Sequence, residues 1–440
     1  MDREINLNQI IKFSKTYNQN EMNKMLEKEI SKKGIREVCI DKEIIKENKH
    51  TFNIELPDTK RQDQEKSHRC WIYAGLNTLK HDIAKKLNIN VYDFELSSNY
   101  IAFFDRLEKS NKAYENAINL KQIDFDYINK ENIFRYCGNE GGRWEYFQAI
   151  VNKYGVVPKS VMPDTYESND YEQLERIYTE KIVKDILKIF KLKEENISIN
   201  EIRKTKEKFL EENYSILSKI LGEPKSTFTY EYIDVNNKKQ ILEEITPLQF
   251  KEKFLKLKLE DFISIENMPM YNKEYYKIYK KKYIGYTIEN SSARFLNLPI
   301  DEIKELVIKQ LKDNIPVFFG VNVTKFKDNK SGVLDTRLYN IKEKLGIDTL
   351  TKEEALNMYN IRFHHAMIFC GAQIEENTPV RWKIEDSYGD KDRYNGYYIM
   401  NDNFFDKFVI NVIIHKKYLN TKQINALKQN SILIETEEPG

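Results

Sequence analysis

Cys70 opens a run with helical apolar spacing and follows Gln64 by six residues, within Gln64-Glu65-Lys66-Ser67-His68-Arg69-Cys70-Trp71. A sulfur at the start of a helix lies where free N–H groups and the helix dipole favour a thiolate. A thiolate is a nucleophile for carbonyl carbon. A glutamine amide just upstream can reach back to donate to the oxyanion that such an attack creates. The chemistry these residue types would perform is thiolate attack on a peptide carbonyl.

Such a nucleophile needs a base and a group that orients the base. The chain has six histidines, at 50, 68, 81, 364, 365 and 415. His364 and His365 directly precede the apolar run Ala366-Met367-Ile368-Phe369, so an imidazole there would stand at the edge of a rigid strand. Asp386 follows a segment in which Val380, Trp382 and Ile384 alternate, the pattern of a half-buried strand. Two neighbouring antiparallel strands would bring the Asp386 carboxylate to the His365 ring. Adjacent strand residues point to opposite faces, so His364 and His365 are a poor zinc pair, and no ligand spacing supports a metal. We therefore expect no metal and no cofactor. His68 is not favoured as a second base. A lone cysteine at a helix start is ordinarily a packed, inert residue, but the company of Gln64, His365 and Asp386 reverses that reading.

The elements that must hold these groups are legible in outline. Trp71, Ala74, Leu79 and Ile83 fall near one face of a helix from Cys70 to Leu87. Ser97 reads as the N-cap of a second helix through Tyr100, Phe103, Phe104 and Leu107. A glycine loop, Gly141-Gly142-Arg143-Trp144, leads to a third helix that ends at Gly155. Residues 170 to 265, rich in Lys, Glu, Ile and Leu, read as a helical insertion. After about residue 290 strands dominate: Pro316–Val321, Ala366–Gly371, the alternating segment before Asp386, Gly396–Met400 and Phe408–Ile414. The sum is α+β, mostly helix before residue 290 and mostly strand after it.

Composition narrows the class. With 71 Lys and Arg against 69 Asp and Glu, the net charge is +2, which gives no general pull toward nucleic acid or membrane. The run Lys277-Ile278-Tyr279-Lys280-Lys281-Lys282 is read as a solvated charged face in preference to a nucleic-acid contact. Neither a signal peptide nor a membrane span is evident. The four cysteines, Cys39, Cys70, Cys137 and Cys370, form no CxxC pair. They suggest reduced thiols in a cytoplasmic protein, with all but Cys70 serving as apolar packing.

Taken together, these segments resemble the bleomycin hydrolase/aminopeptidase C group of papain-like cysteine peptidases. The resemblance runs from Gln64–Trp71 through Phe94-Glu95-Leu96-Ser97, Gly141-Gly142-Arg143-Trp144, Lys153–Lys159, Leu221-Gly222-Glu223-Pro224 and Leu296–Ile300 to His365-Ala366-Met367 and Trp382–Gly389. It implies a papain-like fold: an extension over 1–55, a helical domain over 56–169 with the nucleophile, a helical insertion over 170–265, a β-rich domain over 266–430 with the histidine and acid, and a C-terminal arm over 431–440 near the active site. It implies Cys70 as nucleophile, His365 as general base and acid, Asp386 in the orienting position, Gln64 with the Cys70 N–H as oxyanion donors, and Gly141 and Gly142 against the substrate backbone. It implies small peptides as substrates, the Gly440 carboxylate as partner of their α-ammonium, and a homohexameric ring.

Three positions depart from the family pattern. Asp386 stands for asparagine, His68 for glycine and Arg143 for glutamine. A carboxylate should bind the ring N–H more strongly and favour imidazolium, whereas histidine at a position requiring positive φ would be strained. The departures at Asp386 and His68 motivate an alternative of another class, a catalytically weak or inactive relative acting as a ring-forming binding or scaffold protein.

Overall fold

The computed structural model describes residues 3–134, 137–281, 287–289, 293–361, 363–390 and 395–434. The cysteine helix, Cys70–Leu87, lies at the centre of the molecule. Thirteen of its eighteen residues are buried, so it is apolar on nearly every side and is held by neighbours all round. Lys85 and Lys86 complement its C-terminal dipole, and Asn88 closes it in the left-handed conformation at φ 60°. The second helix, Ser98–Asn119, begins where expected, with the Ser97 side chain accepting from the Tyr100 N–H. Both pack with Trp144–Tyr154 and with two long helices, Glu172–Glu194 and Ile199–Leu221, in one apolar core.

Among the described residues the main sheet has twelve strands. From one edge the order runs Ile432–Ile434, Ile278–Lys281, Arg294–Asn297, Phe262–Glu266, Val409–His415, Val317–Val321, His365–Glu375, Thr378–Glu385, Tyr397–Asn401 and then two short strands, while Ile54–Glu55 joins the His365 strand from the side. One face of the sheet carries Phe262, Phe318, Ala366, Ile368 and Ile413 into the helical core. The Trp144 ring meets Phe262 and Phe318 there at 5.5 and 5.7 Å. The opposite face builds a second core with the helices Ile300–Lys312 and Asp402–Phe408.

Some expectations need correction. The segment 170–265 is not helical throughout: Phe228–Ile233 and Lys239–Ile245 pair as an antiparallel hairpin, and Phe262–Glu266 is an inner strand of the main sheet. Strands therefore begin before residue 290. The lysine run is a strand as well. Ile278, Tyr279 and Lys281 are buried, so it is not a solvated face; Lys282 lies outside the described residues. The described end of the C-terminal arm, Ile432–Ile434, runs parallel to Ile278–Lys281 at the sheet edge, with five strands between it and that of His365. Gly440 and the rest of 435–440 lie outside the described residues.

Candidate active site

Cys70 is the first residue of its helix, and the Arg69 side chain makes no capping hydrogen bond to the first turn. Arg69 is instead drawn inward, donating to Ser98 Oγ at 2.9 Å and to Asp164 at 3.1 Å between the rings of Tyr73 and Tyr171. That fully buried guanidinium fixes the cysteine helix to the next helix at the point where the sulfur emerges. Cys70 is half-buried, while Cys39, Cys137 and Cys370 are buried. Burial pushes the Cys137 thiol up to about 11 and the Cys370 thiol higher still, the behaviour of packed cysteines.

His365 begins its strand, paired with Val321 on one side, and Asp386 follows the end of the strand on the other. The antiparallel arrangement brings them together: His365 Nε2 lies 2.7 Å from Asp386 Oδ1, with both side chains nearly inaccessible. Burial works to lower the His365 pKa, but the Asp386 carboxylate hydrogen-bonded to the ring and the neighbouring Cys70 sulfur raise it to about 10. The imidazole thus has the carboxylate and the sulfur as its neighbours. His364, by contrast, is exposed.

Gln64 is buried beside them. Its backbone N–H donates to Ser387 O at 2.7 Å, its Oε1 accepts from Ser387 Oγ at 2.8 Å, and its Nε2 donates to the Tyr388 hydroxyl at 3.1 Å. Ser387 and Tyr388 were given no role from sequence, although they directly follow Asp386. Glu385 was missed as well. Its carboxylate accepts from Thr59 Oγ1 and Asn77 Nδ2, both at 2.9 Å, and pairs with Arg61 at 2.8 Å. Asn77 lies two turns along the cysteine helix, so one carboxylate ties that helix and the segment preceding Gln64 to the strand that ends just before Asp386.

The glycines have two different reasons. Gly141 takes φ +105° and faces open space, and its carbonyl accepts from the buried Lys109 at 3.1 Å. At Gly142 a Cβ would meet the Trp71 ring at 2.6 Å, so packing within the chain already demands glycine there. Arg143 holds its guanidinium 5.5 Å from the centre of the Phe363 ring, two residues before His365. His68 does adopt positive φ, +55°. His68→Gly is therefore expected to stabilise the fold by about 1 kcal/mol, read as a higher urea midpoint. An unchanged or lower midpoint would show that the imidazole makes compensating contacts.

An apolar helix presenting a cysteine to a histidine–aspartate pair across a helix–sheet boundary defines a papain-like cysteine peptidase. The chain belongs to the Peptidase C1-like family, whose model matches residues 4–439. It is 34% identical over 426 residues to aminopeptidase E of Lactobacillus helveticus, with 96% of each chain covered. To aminopeptidase C of Listeria innocua serovar 6a it is 32% identical over 441 residues, covering 100% of this chain and 99% of that one. The crystal structure of PepW from Lactobacillus rhamnosis matches with a TM-score of 0.96 at 34% identity, covering 100% of this chain and 99% of the other. These full-length matches place the chain in the bleomycin hydrolase/aminopeptidase C group.

Proposed function

We propose that Cys70 is the nucleophile of a cysteine-type aminopeptidase acting on small peptides, with His365 as its proton carrier. The enzyme class rests on the family and on full-length similarity to aminopeptidases E and C. The roles rest above all on one observation, the His365 ring held by Asp386 at 2.7 Å with the Cys70 sulfur beside it. In this mechanism the Cys70 thiolate attacks the carbonyl carbon of the first peptide bond. The Gln64 amide and the Cys70 N–H take the oxyanion. His365 gives its proton to the leaving amine, and the acyl group stays on sulfur as a thioester. A water then gives a proton to His365 as its oxygen attacks the thioester, which releases the amino acid and regenerates the ion pair. Asp386 holds the ring throughout.

Nothing favours the scaffold alternative: the full-length relatives bear aminopeptidase names, and Asp386 lies at hydrogen-bond distance from the His365 ring. Location in the cytoplasm is supported by four free cysteines, and no described helix is long and apolar enough to cross a membrane. Assembly into a hexameric ring, and pairing of the Gly440 carboxylate with the substrate ammonium, rest on the family resemblance. The test is hydrolysis of an aminoacyl fluorogenic amide beside its N-acetylated form. The free-amine substrate should turn over, the blocked one should not, and iodoacetamide should stop the reaction. Equal cleavage of both forms would remove the amino-terminal selectivity.

A further inference from the structure

The segment Asp386-Ser387-Tyr388 does more than orient the imidazole. Tyr388 stacks its ring on His365, centroids 5.7 Å apart and planes 24° from parallel. The same residue accepts from Gln64 Nε2 at 3.1 Å through its hydroxyl. Ser387 donates to Gln64 Oε1 at 2.8 Å, so both ends of the amide are held by hydroxyls of this segment. A glutamine amide carries two N–H groups. With one on Tyr388, the second makes no hydrogen bond among the described residues, and Gln64 is only 1% exposed. The first N–H bond sets the plane of the amide, and the plane sets the direction of the second N–H.

We propose that Tyr388 is a positioning residue: its hydroxyl aims the second N–H of Gln64 at the oxyanion of the reacting carbonyl. The proposal rests on the reading of Gln64 as oxyanion donor given above. It separates the two parts of Tyr388, since the hydroxyl acts on the donor while the ring stacks on His365.

Two reactions of the same sulfur distinguish these parts. Peptide hydrolysis passes through an oxyanion. Alkylation by iodoacetamide does not, because the thiolate displaces iodide from carbon in one step. Tyr388→Phe is therefore expected to lower kcat for an aminoacyl amide about tenfold, a fraction of what removing an oxyanion donor outright costs. KM, the rate of iodoacetamide inactivation and its pH profile should remain those of the parent. Gln64→Ala should lower kcat further, again sparing alkylation, and adding Tyr388→Phe to it should cost nothing more. A parental kcat in Tyr388→Phe would overturn the proposal, as would an alkylation profile that moves with it, since the hydroxyl would then act on the ion pair. Full additivity in the double variant would also overturn it. If Gln64→Ala alone keeps parental kcat, the reading of Gln64 as donor fails instead, and the proposal goes with it.

Discussion

Alanine at position 70 is expected to abolish turnover of an aminoacyl amide, a fall of at least about 10⁴-fold, while the protein still folds. The magnitude follows from the role: removing a nucleophile ends the covalent route altogether and leaves only what binding and the oxyanion donors give over water. His365→Ala should fall nearly as far, because without the ring the sulfur has no proton carrier. The double variant should be little worse than either single one, since the two groups act as a unit. Far-ultraviolet circular dichroism and steady-state kinetics on the three proteins make the comparison. Substantial turnover in Cys70→Ala would end the thiolate mechanism.

Asp386 carries the second large effect. Its carboxylate and the Cys70 sulfur lift His365 to about 10 against a burial that works the other way. In Asp386→Asn an oxygen still accepts the ring N–H, but the charge is gone, and burial is opposed mainly by the sulfur. The alkaline limb of kcat/KM should then move down by at least about one pH unit, since His365 loses its proton more readily. Asp386→Ala loses the hydrogen bond as well, and with it ring tautomer and orientation, so a fall of about 10²- to 10⁴-fold near neutral pH is expected. Stability has the same sign. A histidine whose folded pKa is raised stabilises the fold fully below its ordinary value of 6.5, and the contribution is lost as pH climbs through about 10. The gap in urea midpoint between parent and Asp386→Asn should accordingly be wide at pH 6 and close on the alkaline side. An unmoved alkaline limb would show that the carboxylate charge does not govern the ring.

Cys70–Leu87, the Ser97 cap and the strands around His365 and Asp386 were readable because each depends on local rules: apolar spacing, a side-chain cap, period-two alternation. What escaped depends on partners remote in sequence. Ser387 and Tyr388 gain their roles only when Gln64, more than 300 residues earlier, is folded against them. Lys281 looks solvent-seeking in a basic run, yet the neighbouring strand Arg294–Asn297 and the C-terminal strand enclose it. The hairpin over 228–245 carried a usable signal, since Phe228, Tyr230 and Tyr232 alternate before an Asn236-Asn237 turn in which Asn237 adopts φ 59°. Its lysines and glutamates hid that signal within a helix-rich stretch. At Gly142 the glycine was legible, but the indole that requires it was not.

The Glu385 knot has a bearing on synthesis. Its partners Thr59 and Asn77 leave the ribosome 326 and 308 residues ahead of it. Until translation passes that point, Arg61 and Asn77 lack the carboxylate that anchors them, and the sulfur of a nascent chain lacks the His365–Asp386 pair. Such a polypeptide carries Cys70 early and gains its partners His365 and Asp386 only much later in translation.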